Sequence, residues 1–225
     1  MEWLIVIAAL VGAGGVVSGL RRGAARRQRA QDEAVEMAGV REMADEDTTL
    51  LGEQLARLGV DHPADAMDES TRTDYQAALD AYESAKRAVP RLTRPDEVST
   101  VVDTLSTGRY ALACVQARLE GRPIPELRVP CFFNPQHGPS VRDVLWTAPG
   151  RGTRNVPACA QDASRVANGE QPEIRKVRSG STLQPYWDAG AAFLPYGKNY
   201  YSTAVLHLGY EHTVDNIAGG SSGGL

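Results

Sequence analysis

The stretch VPCFFNPQHGPS, residues 129–140, gathers a cysteine, a histidine and two of the chain's three phenylalanines inside a proline and glycine frame that cannot be helical. The residues after it decide the fold. VRDVLWT (141–147) and TRNVPA (153–158) are short β-branched or aromatic runs, and the APGRG between them is turn chemistry. CAQDASRVANGE (159–170) reads as a short helix with Gly169 near its end, and PEIRKVRS (172–179) as a further strand. The order is therefore a turn bearing Cys131 and His137, a β-hairpin, and a helix start bearing Cys159 and Asp162. Zinc takes four ligands in a tetrahedron, drawn from thiolate, imidazole and sometimes carboxylate. Residues i and i+3 share a helix face, so Cys159 and Asp162 can point at one ion while the hairpin folds the turn onto them.

Over residues 131–165 this pattern resembles a treble-clef zinc finger. It departs from that pattern in offering two Cys, one His and one Asp, with a wider first pair. The resemblance implies a structural zinc ion on Cys131, His137, Cys159 and Asp162. Read from the residues alone, three uses of the group stay open: a zinc site, a metal-free core of the same shape, or a Cys131–Cys159 disulfide. In each, the four residues are expected to converge, with Phe132 and Phe133 packed beside them. The chain as a whole is similar to a group of actinobacterial single-pass membrane-anchored proteins, through GRYALACVQARLEGRPIP, CFFNPQHGPSVRDVLW, VPACAQDASRVANGE and PYWDAGAAFLPYG. That likeness implies a shared architecture and carries no activity.

Upstream lies an acidic, helix-rich middle. Residues 31–122 hold 19 acidic and 10 basic side chains, a balance of −9 within a chain of net charge −4. Such a surface repels phosphate, which excludes nucleic acid as a partner. Asp45, Asp47 or Thr48 could cap a helix carrying Leu50, Leu51, Leu55 and Leu58, with an interruption at DEDTT before it. Tyr75, Ala78, Leu79, Tyr82, Ala85 and Val89 form the stripe of a second helix closed by Pro90. A third starts near Pro95, buries Val98, Val101, Val102, Leu105, Leu112, Val115 and Leu119, and stops at Gly121. Each apolar face is one stripe wide, which predicts an antiparallel bundle over residues 45–121, folding largely independently of the C-terminal module.

At the start, WLIVIAALVGAGGVVSGL (residues 3–20) is free of charge, and five arginines come after it at positions 21, 22, 26, 27 and 29. This predicts a single-pass transmembrane helix in the cell membrane with the body of the chain cytoplasmic, and the lipid bilayer as a partner. Gly15, Gly19 and Gly23 at four-residue spacing offer a homodimer contact between such helices.

The expected fold class is thus α+β: an N-terminal transmembrane helix (1–30), an antiparallel helical bundle (31–124), a small β-hairpin and helix module (125–217) and a flexible tail (218–225). No phosphate loop, dinucleotide-binding glycine motif, HExxH or GxSxG occurs. Six aromatics in PYWDAGAAFLPYGKNYY (185–201) either cover the module's core or form a recognition surface, and His207 and His212 lie beyond them. Two functional classes remain. One is a membrane-anchored scaffold presenting a zinc-stabilised module to a protein partner. The other is a hydrolase or redox enzyme using Cys131, His137 and Cys159.

Overall fold

A computed structural model describes residues 2–179 and 182–196, with side chains from residue 23 onward. The chain is α+β, with three long helices packed as a bundle and a small region of β-hairpins against them. The helices are α1 (Glu2–Asp61), α2 (Glu69–Ala88) and α3 (Pro95–Leu119). The hairpin of β1 (Arg142–Thr147) and β2 (Thr153–Ala158) leads into α4 (Ala160–Ala167), and β3 (Lys176–Ser179) pairs with β4 (Thr182–Pro185).

The long first helix corrects two expectations. Among the described residues no helix is long and apolar enough to cross a membrane. That finding overturns the single-pass transmembrane helix, and with it the cell-membrane location and cytoplasmic orientation. From Arg21 onward α1 carries charges on nearly every turn, which makes this part of the helix too polar to span. The side chains of residues 3–20, and the Gly15 and Gly19 contact expected there, lie outside the described residues. There is also no break at DEDTT. Thr48 sits mid-helix and satisfies its hydroxyl on the Ala44 carbonyl at 2.7 Å, while Asp47 is fully buried. Thr48 stays helical by bonding back one turn, and Asp47 because Gln136 and Tyr196 hold it.

α2 starts where a carboxylate can take an orphan amide: Asp68 accepts from the Thr71 N–H at 2.7 Å. α3 opens with Pro95 in its first turn and ends before Gly121, whose φ of +64° is left-handed. The close approach of α3 to its neighbours needs Gly108, since a Cβ there would meet Ala81 at 2.9 Å and Leu51 at 3.0 Å. Val98, Val101, Val102, Leu105 and Val115 of α3 are buried, as are Ala78 and Ala85 of α2. Leu79 is only partly buried, whereas Val102 has no exposed surface. Two buried carbons at about 0.8 kcal/mol each, plus the cavity left behind, put Val102→Ala near 2 kcal/mol, with Leu79→Ala below it by roughly half. Urea unfolding of both variants checks the order.

The bundle and the C-terminal module share buried side chains. A single hydrophobic core runs from Met37, Val40 and Met43 of α1, through α3, to Phe132, Phe133, Val177, Tyr186, Phe193 and Tyr196. The aromatic run after β4 supplies part of this core, with Tyr186 and Tyr196 fully buried and Trp187 packed against it. Tyr200, Tyr201, His207, His212 and the tail lie outside the described residues.

Candidate metal centre

The loop at residues 129–140 is tied at its neck. The Ser140 N–H donates to the Val129 carbonyl at 2.9 Å, the Cys131 N–H to Gly138 at 3.0 Å, and Pro130 bridges Pro139. Within the neck a 3-10 turn, Pro135–His137, is started by Asn134, whose side chain accepts from the Gln136 N–H at 3.1 Å. Gly138, at φ +79°, reverses the chain after it in a conformation that a Cβ would strain. The turn thus returns His137 to the neighbourhood of Cys131.

The hairpin brings the second pair. β1 and β2 are in register from Arg142 opposite Ala158 to Thr147 opposite Thr153. The Val141 N–H continues this ladder to the Ala158 carbonyl at 2.8 Å, and the Phe132 N–H reaches Pro157 at 2.8 Å. Cys159 therefore emerges directly across from the loop. It is the N-cap of α4, and its sulfur accepts from the Asp162 N–H at 3.4 Å. Asp162, one turn on, faces the same way.

The ligand atoms of Cys131, His137, Cys159 and Asp162 all lie within 4.8 Å of one another. Asp162 Oδ2 stands 2.9 Å from His137 Nδ1, 3.3 Å from Cys131 Sγ and 3.6 Å from Cys159 Sγ, and that sulfur is 3.6 Å from His137 Nδ1. A tetrahedron with Zn–S of about 2.3 Å and Zn–N or Zn–O of about 2.0–2.2 Å has edges of roughly 3.3–3.8 Å. The donor set fits a metal ion of that kind, and so do the separations that involve sulfur, while the His137–Asp162 hydrogen bond at 2.9 Å would open to admit the ion. Cys131 and Asp162 have no exposed surface, and Cys159 is buried.

A second layer holds the ligands. Asp162 turns Oδ1 away from the cluster, where it accepts from the Glu173 N–H at 2.9 Å and from Arg165 at 3.1 Å. Arg165 also pairs with the Glu173 carboxylate at 3.1 Å. His137 places Nε2 3.5 Å from Glu173 Oε1 and 3.3 Å from Asn134 Nδ2. Outer carboxylates of this kind fix which imidazole nitrogen faces a metal. Nothing in residue spacing marks Glu173, Arg165 or Asn134, because their role depends on how the chain after α4 returns over the loop.

Proton affinities reflect the crowding. The Cys131 thiol, by donating to the Cys159 sulfur, lowers Cys159 to about 5; burial opposes this, and His137 and the Asp162 N–H add to it. Cys131 itself is pushed up, first by that same bond and then by burial. Burial alone would lower His137, but Cys159 and Asp162 together raise it. Burial would likewise raise Asp162, yet the Glu173 N–H, the Cys131 thiol and His137 hold it below its ordinary value. The cluster is arranged to carry negative charge on sulfur and carboxylate beside an imidazole.

The two phenylalanines pack beside the cluster in an aromatic box. Phe132 stacks on Trp187 at 4.6 Å, and Phe133 meets Trp146 edge-on at 5.2 Å. Cys114, buried on α3, stands apart as part of the bundle. No protein-family model, no curated protein and no solved structure matches this chain.

Proposed function

We propose that the chain is an interaction scaffold whose C-terminal module is cross-linked by one structural zinc ion on Cys131, His137, Cys159 and Asp162. The observation that carries this reading is the mutual spacing of the four ligand atoms within 4.8 Å in a buried setting. Four protein donors leave no position for a substrate or an activated water, which is the pattern of a structural rather than a catalytic site. When bound, the ion supplies a cross-link between segments distant in sequence. The chain's own part is to present two ligands from the tied loop and two from the first turn of α4, with Glu173 orienting His137. The protein so held would offer its outer faces to a protein partner.

An enzyme reading draws on Cys159 alone. A thiol lowered to about 5 at a helix start, 3.6 Å from an imidazole, is a competent nucleophile. Cys159→Ser separates the two. On the structural reading the variant binds no zinc and melts at a lower temperature than the parent. On the enzymatic reading it folds with unchanged stability and loses only its reaction with thiol-directed electrophiles.

A further inference from the structure

We infer that Asp47, in the middle of α1, is a positioning residue for the metal centre, acting through Gln136. This rests on the metal reading above and adds a route by which the bundle sets the site's affinity. Asp47 has no exposed surface. Its Oδ1 accepts from Gln136 Nε2 at 2.6 Å, and its Oδ2 from the Tyr196 hydroxyl at 3.2 Å. Gln136 is the residue immediately before His137, inside the 3-10 turn that delivers the imidazole. Across the same carboxylate, Arg175 Nη2 lies at 3.6 Å and Arg109 Nη2 at 3.8 Å, while the Arg175 N–H donates to the Phe133 carbonyl of the loop at 2.8 Å. The loop holding Cys131 and His137 is thus fastened to α1 directly through Gln136, and from Phe133 only by way of Arg175, neither loop residue being a ligand.

A buried carboxylate without its donors is costly, so Asp47 favours the loop conformation in which Gln136 reaches it. That same conformation brings His137 Nδ1 to the cluster. Coupling of this kind is reciprocal: whatever factor Asp47 adds to metal affinity, the metal adds to the ordering of α1 around Asp47. The arrangement makes the bundle sense whether the site is filled, over a path of two side chains.

The test is zinc affinity of the full chain, measured by competition with a chromophoric chelator, for the parent, Gln136→Ala, Asp47→Ala, the double variant and Leu55→Ala. Losing a partner bonded directly to a ligand weakens metal binding by about 10–100-fold, and one step further out the lower end, about 10-fold, is expected. Gln136→Ala and Asp47→Ala should each show a loss of that size, and the double variant no more than one of them. Leu55→Ala, which truncates a buried residue of the same helix without touching Gln136, should melt earlier yet bind zinc as the parent does. Parental affinity in Gln136→Ala overturns the inference, as does an equal loss in Leu55→Ala. Should Asp47→Ala fail to fold, Gln136→Ala against Leu55→Ala decides alone. A parent chain that takes up no zinc overturns the metal reading itself.

Discussion

Cys131→Ser should abolish tight zinc binding and lower the stability of the protein by several kcal/mol, while leaving most of its helical circular dichroism in place. Structural zinc contributes apparent binding free energies of about 10–16 kcal/mol in peptides that have little else to fold them. Here the loop is also held by the neck hydrogen bonds and by a core shared with α1 and α3, so only part of that energy is needed for folding. Cys131 is the most buried thiol of the cluster, and its proton is pushed up by its bond to Cys159. A metal must displace that proton, so binding should release protons and weaken as the solution is acidified. In the variant, the serine hydroxyl can still donate to Asp162, which keeps the loop from collapsing entirely. Chelation of the parent should give the same melting temperature as Cys131→Ser with or without zinc. A chelator that leaves the parent's melting curve unmoved would contradict this.

Phe133→Ala should cost about 3–5 kcal/mol, the range for deleting a fully buried aromatic. Phe133 has no exposed surface, sits 5.3 Å from Phe132 and 5.2 Å from Trp146, and offers its carbonyl to Arg175. The cavity would open between the metal loop and the hairpin, where neither element can relax because both are tied at the neck. Urea unfolding monitored by tryptophan fluorescence reads it directly, since Trp146 lines the cavity and Trp187 stacks on its neighbour Phe132. A loss under about 1 kcal/mol would mean that the aromatic box is not packed as described.

Local chemistry is readable where local rules decide. The stripes of α2 and α3, the APGRG turn and the helix beginning at Cys159 are set by residues within a few positions of each other. Cys131, His137, Cys159 and Asp162 are legible as a group because turn, hairpin and helix start leave few ways to connect them. Long-range partners are not. Asp47 and Thr48 look like a helix start by composition, yet α1 passes through them because Gln136 and Tyr196 arrive from 89 and 149 residues away. The stripes of the bundle likewise do not record that β3 and the aromatic run pack into the same core. Glu173 lies in a run that reads as a strand, with no signal that it faces Asp162 and His137. The charge-free run at residues 3–20 reads as a membrane span on hydropathy alone. It belongs to a helix that continues to Asp61, and among the described residues no helix is long and apolar enough to cross a membrane.

Titration of the metal-free, reduced protein with Co²⁺ shows whether the four side chains form one metal centre. Cobalt adopts the same donors as zinc and reports them by colour. A sharp endpoint at one ion per chain is expected, with intense thiolate-to-metal charge-transfer bands and the visible bands of a tetrahedral site, all lost when zinc is added. Absence of those bands, or bands that persist unchanged in the Cys131→Ser and Cys159→Ser variants, would contradict such a centre.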